Sequence, residues 1–566
     1  MGTIGSTSHP SLTGADLGSA QRVRPELMLL AAILVLAAGL RFTAIGSKSF
    51  WADEAYSAFV AAHTPRDIVT LTAQDDAHPP LYYLLLSLWR HVAGADDAGL
   101  RSLGALASVL TVGGAWWVAR QLGGSWVGLV TAFLTAVAPF QVLAAQEARM
   151  YALLGLLAIA SWAALLAAIG SRRIAWFFYV AATALALYTH YFAFLIIFGQ
   201  AIFVVSTARR SVRTWVFSQG AIFVLFLPWL GRFLATATAG RGWPFLRLPL
   251  EATTVTSLLG LLSFGGHVFG FAGWFGGGAT PLPVQLAILA PFVALAGLGL
   301  VGVWHQRRAL WFVIGALLAP LAATIAFSLR TNVIYPRYFS FLHVPFAVLL
   351  AFGMVHITSY FVPTYRRVAL LALGLAFLLA SAPVLRDLYF NPTFQVFDWR
   401  GAATWLTAEA GPNDVIVVTP EFGRIPFLRY FRGPQLIVGM NPTELNDPKT
   451  TEVQGAALNA RTRALFQSYA ASHDVLWIVT DIGLPPTAFA RLVGLLDGIY
   501  DRQGAVVFSA IRVYKARRHP LGGVRPGTRR GTVEAFSIAP SRRDLPALPS
   551  LRRSPACLTS SGRPGS

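Results

Sequence analysis

Charge is what this sequence has least of. Only 12% of its 566 residues are Asp, Glu, Lys or Arg, against roughly 25% in soluble proteins. A shortage this deep over such a length excludes an ordinary soluble multidomain protein. It does not indicate disorder either, because 55% of the residues are hydrophobic and mean hydropathy is +0.58. Cysteine is nearly missing too. Cys557 is the sole one, which rules out an internal disulfide and a cysteine-built metal site. Lysine is scarce, with Lys48, Lys449 and Lys515 the only three among 45 basic residues. The net charge of +20 could suggest nucleic acid. Arginines at the cytoplasmic ends of membrane spans give the same excess, so no nucleic-acid partner is expected. The remaining class is a polytopic α-helical membrane protein with a water-soluble part.

Thirteen apolar runs are visible: 26–45, 79–93, 102–119, 125–144, 150–170, 174–188, 190–208, 215–233, 254–276, 284–304, 309–329, 338–360 and 367–386. The first is about long enough to cross a bilayer at roughly 1.5 Å per residue. No small-residue cleavage site follows it cleanly, so it reads as a retained signal anchor behind a polar cytoplasmic N-terminus, 1–25. The basic clusters Arg172–Arg173, Arg209–Arg210–Arg213, Arg307–Arg308 and Arg366–Arg367 should face the cytoplasm. The turn at Tyr188–Tyr191 and the stretches 234–283 and 330–337 then face outward, and the last span delivers residue 391 to the outside. Two runs resist this scheme. The Gly-rich 254–276 suggests an embedded or interfacial segment. Run 79–93 is short, and if it crosses, Arg120 lands on the wrong side. One element between 79 and 170 must fail to cross or break the rule, and the sequence leaves open which.

Beyond 391 the character changes. Short β-branched runs at Val415–Thr419, Leu436–Met440, Val475–Thr480 and Val506–Tyr514 alternate with helical patterns around 400–410, 454–471 and 487–499. They predict a small α/β extracytoplasmic domain over 391–515. Residues 516–566, rich in Pro, Arg and Ser without periodicity, read as a disordered basic tail.

Acids are equally informative by where they are missing. From 148 to 386 Glu251 stands alone, while seven of the nine acids between 27 and 386 fall between 53 and 97. An ion-coupled transporter would scatter acids near the midplane of several helices. Clustering in the first external loop, 46–78, instead suits a site at the membrane–water boundary. That loop carries Trp51-Ala52-Asp53-Glu54, aromatic and acidic side by side. An amphipathic stretch, 55–72, should lie in the interface. Asp75-Asp76-Ala77-His78-Pro79-Pro80-Leu81 follows, with prolines suited to opening a helix and acids suited to its N-terminal end. Asp96 and Asp97 read as caps or solvated loop charges. Asp53 and Glu54 do not, because adjacent acids at a bilayer surface carry a desolvation cost that capping leaves unexplained. Three further elements join them: Glu147-Ala148-Arg149-Met150-Tyr151, Tyr335-Pro336-Arg337-Tyr338, and Tyr188-Thr189-His190-Tyr191. Arg149 can bind a phosphate bidentately, or equally well pair with Glu147 or a nearby acid. His190, alone among aromatics, is more often a structural residue.

Taken in order, Trp51-x-Asp53-Glu54, His78-Pro79-Pro80-Leu81 and Glu147-x-Arg149-x-Tyr151 resemble the GT-C superfamily of membrane glycosyltransferases. The branch looks like the family 39 type, which includes protein O-mannosyltransferases, the aminoarabinose–lipid A transferase and bacterial relatives. The resemblance spans roughly 26–390, and no lectin-like insertion is present. It implies a polyprenyl-phosphate sugar as donor and an inverting hexosyl or pentosyl transfer on the outer face of the cytoplasmic (inner) membrane. The acceptor would be a hydroxyl of a glycan, lipid or protein. By match to the family motif, Asp53 is the base, with Glu54 beside it in the catalytic pair. Arg149 and then Arg337 are the cations for the donor phosphate. Asp75, Asp76, His78, Glu147, Tyr151 and His190 would orient the substrates. Some GT-C members need a divalent metal, and Asp53 with Asp75 or Asp76 could hold one; the reading here takes no cofactor. Two other classes compete. A transporter or flippase of lipid-linked sugars shares the hydropathy, and a membrane-anchored binding protein would make 391–515 its working part.

Overall fold

The computed structural model describes residues 14–74, 78–238, 252–263, 281–330, 333–391, 397–419, 421–439, 468, 472–481 and 500–519. The protein is a polytopic helical membrane protein with a small strand-containing C-terminal region. Eight described helices are long and apolar enough to cross a membrane. They grow from the apolar runs, because a backbone in hydrocarbon must satisfy its own hydrogen bonds.

In chain order the helices are α1 (Gly14–Phe42), α2 (Ala52–Val60), α3 (Pro65–Gln74), α4 (Leu81–Ala93), α5 (Asp97–Val137), α6 (Pro139–Ala145) and α7 (Tyr151–Ile169). Then come α8 (Ala175–Leu187), α9 (Ala193–Thr207), α10 (Val212–Thr238), α11 (Ala252–Ser263) and α12 (Leu282–Val303). Next is α13 (Arg307–Ser328), with a π turn at Ile314–Leu318. A 3-10 turn at Pro336–Leu342 leads into α14 (His343–Ser359), and α15 (Pro363–Phe390) closes the bundle. Runs 102–119 and 125–144 are joined through α5, which breaks at Gly124, φ +83° and ψ −177°. Only glycine adopts that backbone without strain. The chain turns back there, so a Cβ on Gly128 would lie 3.0 Å from the Trp116 carbonyl.

Close crossings pack the bundle. A Cβ on Gly199 of α9 would lie 1.8 Å from the Gly315 carbonyl in the π turn of α13. Apolar helices have little hydrophobic drive to associate inside lipid, so such small-residue contacts carry the packing.

The two ends of the bundle differ chemically. Glu26 meets Arg120 and Ser125 at one end, where Arg307 also reaches the Ser206 carbonyl. The acids and aromatics of the first loop lie at the other. Helix α4 settles the unresolved pass. The Leu81 amide donates to Tyr188 O at 3.1 Å, while Trp89 Nε1 near its far end donates to Ser102 at 2.8 Å and Arg90 to Ala61 O at 3.3 Å. Both ends of α4 therefore stay at the acid-bearing end, and run 79–93 does not traverse the bundle. Arg120 then falls with the other arginines. The Gly-rich segment 264–276 lies outside the described residues.

The C-terminal region contains α16 (Trp399–Glu409), β1 (Val415–Thr419), α17 (Arg424–Tyr430), β2 (Leu436–Gly439), β3 (Val475–Asp481), β4 (Tyr500–Phe508) and β5 (Ile511–Arg518). The sheet order is β2-β1-β3-β5-β4. β1 pairs in parallel with β2 and β3, and β5 pairs antiparallel with β3 and β4. Two expectations change. The single run Val506–Tyr514 is two strands turning at Ser509–Ala510, with Ser509 at φ +52°. And β5 continues through Arg518, past the expected boundary at 515. The helical patterns at 487–499 and nearly all of 454–471, like most of the expected tail, lie outside the described residues.

Candidate active site

Trp51, extended at φ −87° and ψ 176°, precedes α2, and Asp53 and Glu54 occupy its first turn. Negative charge is favoured there by the helix dipole. Neighbouring residues on a helix with about 3.6 residues per turn point in different directions, and these two acids separate accordingly.

Glu54 turns inward. It is 1% exposed, and both its oxygens are forked by Arg101, Nε to Oε1 at 2.7 Å and Nη2 to Oε2 at 2.6 Å. The Ala148 amide also donates to Oε1 at 2.8 Å. Arg101 gives its remaining hydrogens to Ile45 O, Lys48 O and Ser49 O. Grouped with Asp53 as a catalytic pair in the sequence, Glu54 sits in a closed network that shapes the loop.

Asp53 turns outward, with its side chain 29% exposed and Oδ2 4.0 Å from Arg149 Nη2. Arg149 is buried. Its Nη1 lies 3.3 Å from Asp53 O, 3.2 Å from Ser57 Oγ and 3.4 Å from Tyr83 Oη. Of the two fates left open for Arg149, pairing with a nearby acid is present, the acid being Asp53 rather than Glu147. Glu147 instead lies 3.4 Å from Nη2 of Arg337, whose guanidinium stacks 4.4 Å from the Trp51 ring centroid. Burial pushes the Glu147 carboxyl up to about 7. Arg337 opposes that shift, and the Glu54 and Asp53 carboxylates add to it.

Aromatic rings complete the wall. Tyr338 is central, with ring centroids 4.7 Å from His190, 4.8 Å from Tyr335, 5.8 Å from His78 and 6.0 Å from Tyr151. His78 and His190 are 5.2 Å apart. His190 Nδ1 accepts from the Phe192 amide at 3.1 Å, which leaves the proton of the neutral ring on Nε2. Ser340 Oγ donates to Tyr151 O, and Gln141 Nε2 to Ser340 O, so the 3-10 turn is tied to α7. Burial raises the Tyr335 hydroxyl above its ordinary value.

Thus Asp53, Arg149, Tyr151, Glu147, Arg337, His78 and His190, expected from five separate stretches of chain, converge at one end of the bundle. Asp75 and Asp76 lie outside the described residues. Among the described residues no group of three or more His, Cys, Asp or Glu could hold a metal. Asp97 departs from its expected place as a cap or solvated charge. Asp96 is the cap, accepting from the Gly99 amide. Asp97 is buried and accepts from Arg400, Arg429 and Tyr430. Its partners lie some three hundred residues away, and no local spacing signals them. Arg101 was likewise missed, being one arginine at the start of an apolar run.

A family model described as dolichyl-phosphate-mannose-protein mannosyltransferase matches residues 77–231. ArnT from Cupriavidus metallidurans in the apo state superposes with TM-score 0.54 at 14% identity, over 88% of this chain and 98% of that one. The chain has the GT-C fold. The GT-C oligosaccharyltransferase of Archaeoglobus fulgidus, tethered with an acceptor peptide containing the NVT sequon, gives TM-score 0.51 at 13% identity, over 88% and 75%. The archaeal AglB from the same organism, in complex with an inhibitory peptide and a dolichol-phosphate, gives 0.50 at 13%, over 86% and 74%. No curated protein matches the sequence. At these identities the likeness concerns the GT-C architecture.

Proposed function

We propose that this protein is an inverting glycosyltransferase that moves a sugar from a polyprenyl phosphate to a hydroxyl acceptor at the outer face of the cytoplasmic membrane. The observation that carries the reading is the separation of the two acids. Glu54 is consumed by Arg101, whereas Asp53 keeps a partly exposed carboxylate 4.0 Å from Arg149, with a second buried guanidinium, Arg337, in the same wall. The family match and the dolichol-phosphate held by AglB support a lipid-linked donor.

In this reading the acceptor hydroxyl gives its proton to Asp53 as its oxygen bonds to the anomeric carbon. The bond from that carbon to the phosphate oxygen breaks on the opposite side, which inverts the centre. Polyprenyl phosphate leaves with the electron pair. A base aligned this way contributes about 10²–10⁴-fold. The guanidiniums of Arg149 and Arg337 stabilise the charge that grows on the leaving phosphate, where a water-poor wall makes them most effective. His78, His190, Tyr151 and Tyr338 offer ring faces and polar edges to the sugar.

The arginine-bearing end of the bundle is the cytoplasmic one in this reading, which places the N-terminus inside and the acid-bearing end, with the region over 391–515, outside. Mass spectrometry of envelope glycans and lipids in a deletion strain tests the function. A sugar lost from one glycan or lipid, with polyprenyl-phosphate sugar accumulating, is the expected result. An unchanged envelope in cells that make the protein contradicts it.

A further inference from the structure

We infer that Arg429 and Tyr430, on α17 of the C-terminal region, are positioning residues for Asp53, holding the loop that presents it; this rests on the role proposed for Asp53. The loop Gly46–Phe50 has little regular structure of its own, and its backbone groups are taken up by side chains from elsewhere. Arg400 donates to Gly46 O at 3.1 Å, Ser47 O at 3.3 Å and Lys48 O at 3.3 Å. Ser49 Oγ donates to Phe397 O at 2.6 Å. The Phe50 amide donates to Tyr430 Oη at 2.7 Å.

Phe50 is the hinge pin of this arrangement. Its ring is fully buried, with the Arg429 guanidinium 4.3 Å and the Arg101 guanidinium 4.8 Å from its centroid. Asp97 fixes the other side. Its carboxylate accepts from Arg429 Nε at 2.8 Å, from Arg400 Nη2 at 2.5 Å and from the Tyr430 hydroxyl. Arg101 in turn forks Glu54, one residue from Asp53. A continuous line of contacts therefore runs from α17 through Phe50 and Arg101 to the first turn of α2. Reacting groups tolerate displacements of only about 1 Å before rates fall by about 10²-fold, so a loop held from outside the bundle decides where the carboxylate stands.

The test uses the full chain in lipid nanodiscs, with undecaprenyl phosphate as the binding probe. Tyr430→Phe deletes one hydroxyl, and Arg429→Lys keeps the charge but loses the fork. Amide exchange over residues 46–57 should rise at least tenfold in both variants, with α7 unchanged. Binding supplies a readout that a merely structural role would not move. In the otherwise native chain Asp53→Asn removes a charge beside Arg149 and should tighten the probe about fivefold. In Tyr430→Phe and in Arg429→Lys that factor should fall below twofold, because the carboxylate no longer keeps its place. Native exchange over 46–57 together with an undiminished Asp53→Asn factor overturns the inference. If the native chain fails to bind undecaprenyl phosphate, the donor assignment falls, while the exchange result still decides whether α17 holds the loop.

Discussion

Arg101 forks both carboxylate oxygens of Glu54 inside the protein, at 2.7 and 2.6 Å, and by doing so leaves Asp53 as the acid that faces the open end of the site. A buried pair of this kind is a poor source of stability as a whole, but losing one partner costs about 3–5 kcal/mol because the other charge is stranded.

Glu54→Ala and Arg101→Ala are therefore expected to lower the yield and thermal midpoint of the purified protein, whereas Asp53→Asn leaves both near native. Thermal unfolding in detergent by intrinsic fluorescence checks this. A folded Glu54→Ala protein of native stability that merely lacks activity would move Glu54 into the chemistry.

Arg149→Ala should weaken undecaprenyl-phosphate binding about 10–100-fold, the worth of a charge-assisted hydrogen bond of roughly 1.5–3 kcal/mol. Arg337→Ala should do the same to a smaller extent, since its guanidinium is shared with Glu147 and Trp51. Titration in nanodiscs measures both. Native affinity in Arg149→Ala would send the phosphate elsewhere.

Glu147 is expected to make donor binding depend on pH. Its carboxyl, pushed up to about 7 by burial, is ionised above that pH and then holds Arg337. Below it the acid is neutral and Arg337 is freed for phosphate. Affinity for the probe should rise as pH falls from 8 to about 6.5, above the second phosphate ionisation near roughly pH 6. Glu147→Gln should flatten the profile at the high-affinity level. The same group shapes stability. Its pKa is raised on folding, so its effect is most favourable below the unfolded value of 4.5 and is lost as pH rises towards 7. Glu147→Gln should remove that part of the slope. A profile unchanged in Glu147→Gln would assign the pH dependence to another group.

Much of this was legible in the sequence, for reasons that also mark where reading stops. Long apolar runs announce helices because lipid enforces them. The residues of the wall were legible because acids are few between 27 and 386, so Asp53 stood out, while Arg149 and Arg337 lie apart from the basic clusters, among acidic and aromatic neighbours. The course of α4 was not legible: thirteen residues, eight of them Leu, Tyr or Trp, suit either a short pass or a helix lying at one end. Its hydrogen bonds to Tyr188 and Ser102 decide that. The turn at Ser509–Ala510 lacks the Asn-Gly or Asp-Gly signal of a tight hairpin, so one strand was read where there are two. Asp97 was read as a surface charge because Arg400, Arg429 and Tyr430 meet it only in the folded chain.

The most direct measurement follows the sugar. Full-length protein, native or Asp53→Asn, is reconstituted with the radiolabelled polyprenyl-phosphate sugars of its own host and the host's envelope fraction. Native protein should move label out of the polyprenyl-phosphate pool into a new molecule and release polyprenyl phosphate. Asp53→Asn, at equal expression and with probe binding retained, should slow this by about 10²–10⁴-fold. Label that stays on an intact lipid while changing sides of the membrane, or equal turnover by Asp53→Asn, would contradict a glycosyl transfer based on Asp53.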